Sequence, residues 1–287
     1  MGEAVFRTGR ALSGSFFMTR RLFLDAGSSH TLEMQLCPLG PLSRGMNDCL
    51  QAPDRAWTPE ERALFRSNDL DHPLSRHFQR FIEERDFPCV GAKAALNASR
   101  LEIMVARDIT SSWDDLRIYP SLLAFARGYA VEPVLFQSFA VVFDGPLDLD
   151  ESGFEQALWA RVQSLTDKDV HGQQAPDMRV AHDPSDPHFS LSFGGQGFFV
   201  VGLHPNASRR ARRFERPVLV FNLHDQFAQL RADGRYEKLR RQILARDSAF
   251  SGGINPMLAR HGEMSEARQY SGRMVDETWL PPYRRAE

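Results

Sequence analysis

The stretch of this sequence richest in chemistry runs from an apolar strand into a histidine and then into arginines. Phe198-Phe199-Val200-Val201-Gly202-Leu203 leads to His204-Pro205, and Ser208-Arg209-Arg210-Ala211-Arg212-Arg213 then places four arginines in six residues. Proline after His204 biases that residue to extended backbone and ends the strand there. An imidazole at a strand end can enter an adjoining cavity, and guanidinium groups pair bidentately with carboxylates or phosphates. Together they offer what a haem requires: an imidazole for iron and cations for two propionates. Read plainly, a His-Pro pair is a surface turn and the arginines are a solvated face. Both readings stand at this level.

Other groups are less specific. Cys89, in Phe87-Pro88-Cys89-Val90-Gly91, precedes a small-residue helix. A thiol at a helix N-terminus has a lowered pKa and could ligate iron or act as a nucleophile, whereas a lone cysteine also packs as a small hydrophobe. His224 ends a strand and begins a helix. His188 precedes an alternating strand, and His261 stands before Gly262 in a last helical turn that the dipole favours without any function. Gly194-Gly195-Gln196-Gly197 lacks the GxGxxG spacing and precedes a strand, so it reads as a hairpin turn. With no GxSxG, HExxH or Walker motif, hydrolase and kinase readings have no support. Cys37, Cys49 and Cys89 form no CxxC and no zinc spacing, which fits a reducing compartment.

The elements that must position these groups follow from periodicity and caps. Thr58-Pro59-Glu60-Glu61 reads as a helix start, and Leu74, Phe78, Phe81 and Ile82 form one stripe of a helix over 73–85. A short helix follows Gly91, then a strand at Leu101–Val105. Ser111 or Ser112 caps a helix reaching Arg127, with a kink expected at Pro120. Residues 134–143 read as a central strand. Ser152-Gly153-Phe154-Glu155 is a capping box opening a helix to Leu165, and 167–187 reads as a long surface loop. A hairpin over 188–203, a strand at 218–222 and helices at 224–232 and 234–247 complete the pattern. Five strands without regular βαβ alternation predict an α+β fold, with a single mixed or mostly antiparallel sheet packed with helices. Residues 1–57 read as a loosely ordered N-terminal extension and 58–287 as one domain. The 21 phenylalanines among 287 residues supply a ring-rich interior that could also line an apolar cavity. A net charge of −2 gives no field for nucleic acid or anionic membrane. Without a signal-peptide pattern or an apolar run of the ~18–20 residues that span a bilayer, the expected location is the cytoplasm.

Several segments together resemble the YqcI/YcgG family. They are Phe87-Pro88-Cys89-Val90-Gly91-Ala92-Lys93-Ala94-Ala95, Leu203-His204-Pro205-Asn206-Ala207-Ser208-Arg209-Arg210-Ala211-Arg212-Arg213-Phe214, and Val220-Phe221-Asn222-Leu223-His224-Asp225-Gln226-Phe227. Asn255-Pro256-Met257-Leu258, His261-Gly262 and Ser265-Glu266-Ala267-Arg268-Gln269-Tyr270-Ser271-Gly272-Arg273 complete the set, so that the resemblance spans about 58–283. It implies a haem-dependent oxygenase, of monooxygenase or peroxygenase type, that hydroxylates a guanidino or amino nitrogen of arginine or a related small substrate. Haem b would be held by His204 as axial iron ligand, with Cys89 as the alternative. Arg209, Arg212, Arg213 and Arg268 would meet the propionates. Cys89 and Lys93 share a motif without an implied role. Asp225 and Glu266, inside the matching blocks, are candidate partners for a cationic substrate. An electron donor or peroxide would supply the oxidant, and a homodimer is compatible with the resemblance. The chain ends Trp279-Leu280-Pro281-Pro282-Tyr283, where a cysteine is expected after the tryptophan; this argues against an essential terminal cysteine. Two rivals remain: a non-catalytic haem-binding or haem-sensing protein, and a cofactor-free thiol protein using Cys89.

Overall fold

A computed structural model describes residues 58, 59, 63, 68–253, 255 and 264–285, all within one compact unit, Arg44–Glu287. The extension expected over 1–57 and the helix end at His261-Gly262 lie outside the described residues. So does most of the helix expected from Thr58, of which Pro59 and Ala63 are helical.

Alternating apolar runs build five strands: β1 (Leu101–Asp108), β2 (Ser138–Gly145), β3 (Leu191–Phe193), β4 (Gln196–Leu203) and β5 (Val218–Leu223), in the order β1-β2-β5-β4-β3. β1 and β2 run parallel, and the remaining pairs are antiparallel. The fold is therefore α+β around one mixed, mostly antiparallel sheet, as the element order predicts. The helices are α1 (Pro73–Glu83), α2 (Val90–Asn97), α3 (Asp115–Val131), α4 (Glu151–His171), α5 (His224–Ala232) and α6 (Tyr236–Ser251).

The alternation of side chains along the strands feeds two cores. Phe139, Val141, Phe198, Leu219 and Phe221 face α3 and α4, whose Leu122, Phe125, Phe154 and Trp159 complete the larger core. Ile103, Ala140, Val142, Leu203 and Val218 face the other way, against Phe78, Phe81 and Ile82 of α1 and Ala95 of α2. α1 carries these apolar residues at helical spacing, and His72 caps it by accepting a hydrogen bond from the Leu74 N–H at 3.2 Å.

Several boundaries differ from the sequence reading. α4 is capped by Asp150, whose carboxylate accepts from the Gly153 N–H at 2.7 Å, and not by Ser152. It continues to His171 instead of stopping at Leu165, because Thr166 and Asp169 are buried: Asp169 bonds the Tyr119 hydroxyl and Arg285. The supposed surface loop thus begins as a packed helix. β2 starts at Ser138, since Phe136 has φ 60° and breaks the extended run. Ser111 caps a short 3-10 turn that precedes α3, and α3 passes through Pro120 to Val131. In the hairpin, Gly194 and Gly195 have φ of 56° and 77°. Two consecutive positive values are what a tight two-residue turn between twisted strands demands.

Candidate functional site

On the α1 face of the sheet, small side chains stand where the other face carries rings, and space remains. A first chamber of about 220 Å³ is walled by Phe78, Ile82, Val201 and Val220, with Cys89, Arg209, Arg212, Asn222 and Asp247 as its polar groups. A second, of about 200 Å³, is walled by Phe227 and Tyr236 and by the polar groups His224, Arg231, Arg240 and Glu266. Phe199, Ile243 and Gln269 belong to both, so the chambers adjoin. Each alone is smaller than the ~300–1,000 Å³ of drug-sized ligand sites, and together they fall within that range.

The polar groups of the first chamber are held tightly. Cys89 is the N-cap of α2, its Sγ accepting from the Ala92 N–H at 3.3 Å. The sequence reading expects a lowered thiol pKa there. Instead burial pushes it up, against the smaller pull of the Ala92 and Gly91 N–H groups and of the Arg212 charge. Arg209 pairs with Asp247 and donates to the Gly253 carbonyl at 2.9 Å. Among the described residues Arg212 donates only to carbonyls, of Gly202 at 2.9 Å, Gln269 at 3.1 Å and Tyr270 at 3.4 Å. Burial pulls its guanidinium down to about 10, opposed by the charges of Asp247 and Cys89. Among the described residues its guanidinium thus has no carboxylate in hydrogen-bond contact, although Asp247 lines the same chamber.

In the second chamber His224 opens α5, and its Nδ1 lies 2.9 Å from the Ser190 hydroxyl oxygen. Ser190 and His224 are 34 residues apart and meet because β3, β4 and β5 are neighbours. Sequence reading treats His224 as an ordinary helix-start residue, and no local signal marks the pairing. Glu266 is on the same wall.

The structure divides the predicted site residues into two groups. Arg209, Arg212, Cys89 and Glu266 meet at the cavity. His204 does not: it lines neither chamber and is 1% exposed. Its ring stacks on Phe154 of α4, with centroids 4.3 Å apart and planes at 18°. It follows Leu203, which faces the cavity, so pleat alternation turns it toward the opposite face. Burial lowers the His204 pKa to about 4, with Glu151 and Asp150 opposing and Arg212 adding to the fall. Arg213 donates to the carbonyls of its own loop, Ala207 at 2.9 Å and Ser208 at 3.1 Å. Arg268 holds the C-terminal segment through the Val275 and Asp276 carbonyls and Met264 Sδ. Asp225 is engaged by Tyr129, Gln229 and Arg179 and lines neither chamber.

The model of the YqcI/YcgG family matches residues 78–284. The chain belongs to that family. Its match takes in every wall residue of both chambers, and it starts inside α1 instead of at the expected residue 58. No curated protein and no solved structure matches the chain. Among the described residues, no helix is long and apolar enough to cross a membrane.

These residues test the haem that the resemblance implies. The arrangement with His204 on the iron does not fit, because its imidazole lies on the wrong face of the sheet. The chambers do carry group types that a haem would use: apolar walls and the Arg212 guanidinium in the first, and the His224 imidazole in the second. Among the described residues no three His, Cys, Asp or Glu side chains could hold a bare ion. Haem iron needs no such cluster, since the macrocycle supplies most of its donors.

Proposed function

We propose that this YqcI/YcgG-family protein is a haem-dependent oxygenase that hydroxylates a guanidino or amino nitrogen of a small polar substrate, such as arginine or a derivative. The observation that carries the reading is two adjoining apolar chambers, the first with Arg212, which among the described residues bonds only backbone carbonyls, and the second with the carboxylate of Glu266. Such chambers offer apolar walls for a macrocycle, cations for its anionic arms and a carboxylate for a cationic substrate. Haem, when bound, supplies the oxygen-activating chemistry, with an electron donor or peroxide as the source of oxidant.

The chain's own residues bind and exclude. Arg212 meets a propionate, and Arg209, held by Asp247, adds a second cation beside it. Phe199 and Ile243, at the junction of the chambers, keep water from the reacting groups. Glu266 pairs with the cationic group of the substrate and holds the nitrogen in place, the positioning that makes a bound reaction effectively unimolecular. The free thiol of Cys89 is consistent with a cytoplasmic setting.

The test has two stages. Haem-supplied protein is purified and its haem stoichiometry measured; the expected result is one per chain. It is then given arginine and related guanidines with peroxide, or with reductant and oxygen, and products are followed by mass for the gain of one oxygen. Stoichiometric haem without product would leave a haem-binding or haem-sensing protein. No haem would sink the reading, and activity lost on thiol alkylation of colourless protein would favour a thiol enzyme at Cys89.

A further inference from the structure

The two chambers meet at a ring that rises from the sheet. Among the described wall residues, Phe199 of β4, Ile243 of α6 and Gln269 belong to both. Along this face β4 presents Leu203, Val201 and Phe199 in turn, while β5 sets Val220 beside Val201 and Asn222 beside Phe199. Phe199 is thus a phenyl ring at the end of a row of smaller side chains. It stands where the first chamber stops and the second, walled by Phe227 and Tyr236, begins.

The ring is braced without being enclosed. Tyr270 meets it edge to face, with centroids 5.1 Å apart and planes at 83°, and Phe227 does so at 6.4 Å and 75°. Edge-to-face contact is a favoured geometry for aromatic pairs. Tyr270 is a fixed support: it is fully buried, its carbonyl accepts from the Gly202 N–H at 2.7 Å, and its hydroxyl donates to the Phe198 carbonyl at 3.3 Å. Phe199 itself is half-buried, flanked by about 220 Å³ of space in one chamber and about 200 Å³ in the other. A ring in a close-packed core moves only by displacing its neighbours. A ring between two voids has room to turn.

Volume then decides what can enter. An apolar cavity of ~150 Å³ holds a benzene, so each chamber suits one small ring system, whereas a ligand of porphyrin width needs both. We propose that Phe199 is the size gate of this site. In the position it holds here, it keeps the chambers apart and limits each to a ligand about as large as indole. A broad, flat ligand enters only when the ring turns out of the junction. That a haem is such a ligand rests on the reading given above; the gate itself does not.

The experiment titrates full-length wild type, Phe199→Leu and Phe199→Ala with indole, pyrene and metal-free protoporphyrin IX. Indole is followed by calorimetry and the other two by their own fluorescence. Indole should bind all three proteins. Pyrene and protoporphyrin should bind Phe199→Ala about tenfold more tightly than wild type, because the strain of turning the ring aside is gone, with Phe199→Leu between them. If Phe199→Ala fails to fold by circular dichroism, the comparison of Phe199→Leu with wild type carries the test. Equal affinities for the broad ligands in all folded forms overturn the gate, and so does a parallel loss of indole and pyrene binding in the variants. Haem is titrated alongside. Discrimination among the porphyrin affinities by proteins that take up no haem would leave the gate standing and sink the haem reading; haem bound equally well by every form would do the reverse.

Discussion

The two faces of the sheet use the same strands and treat them differently. Toward α3 and α4, β2, β4 and β5 present Phe139, Phe143, Phe198 and Phe221, and Trp159 and Tyr270 stack over them. Toward α1 and α2 the alternate positions are Ala140, Val142, Val201 and Val220. Rings close one face, while on the other mostly small aliphatic residues, with Phe199 of β4 among them, leave the chambers open. Charge follows the same division. On the closed face Asp115 is met by Arg161, Lys168 and Ser164, and Glu155 by Arg273 and Ser271, so that each buried carboxylate has its partners. On the open face, among the described residues, Arg212 bonds only backbone carbonyls. The difference separates a face closed by rings and ion pairs from a face that keeps two chambers.

The contrast can be broken most sharply at Asp115. Asp115→Ala would leave Arg161, whose side chain is 3% exposed, with no carboxylate in contact. Removing one partner of a buried pair costs ~3–5 kcal/mol, so denaturant unfolding should register a loss of that size. A loss under ~1 kcal/mol would mean that the closed face is not dry and paired as described. Gly202→Ala is the next step down. Its Cβ would stand 2.7 Å from a Phe154 ring carbon and 2.8 Å from Leu158 Cδ1. Overpacking of this kind costs ~1–3 kcal/mol, and here it would also push Phe154 against His204.

His204 offers a pH test of the same face. Its folded-state pKa of about 4 lies below the ~6.5 of an unfolded histidine. As pH falls, the unfolded chain takes up a proton first, so the buried neutral imidazole destabilises the fold progressively between about pH 6.5 and 4. Stability at pH 5 should be about 2 kcal/mol below that at pH 7 from this group alone. His204→Phe, which keeps a ring on Phe154, should flatten that part of the profile. An unchanged slope would place the imidazole in contact with solvent.

The fold class was legible because strand alternation and hairpin turns are local signals. Gly194-Gly195 between two apolar runs could be little else. Boundaries failed where tertiary contacts overrode polarity: Asp169 and Thr166 look like loop residues and are buried helix, because Tyr119 and Arg285 wait for the carboxylate. The cap of α4 was misplaced because a capping-box pattern stood two residues beyond the true cap, Asp150. At the site, residue types were informative and their direction was not. Arg209, Arg212, Cys89 and Glu266 stand out as blocks. Whether Leu203 or His204 faces the cavity is a matter of one residue of pleat, which composition does not set. His224 was harder still, since its partner Ser190 stands just ahead of β3 and only the β3-β4-β5 pairing brings the two together.

The smallest expected change in stability comes from the open face. Val201 lines the first chamber, and Val201→Phe would put a ring where β4 otherwise leaves space. On the closed face an added methyl at Gly202 meets atoms at 2.7 Å, yet here several carbons enter a void of about 220 Å³. Filling a cavity commonly stabilises by ~0.5–2 kcal/mol, so the variant should melt at or slightly above the wild-type temperature. Haem affinity should fall at the same time, since the ring takes the volume beside Arg212. Loss of binding with retained stability would be the signature of a cavity kept open for a ligand. A variant that loses ~2 kcal/mol or more would show that the open face is packed as tightly as the closed one, and the contrast between the faces would be lost.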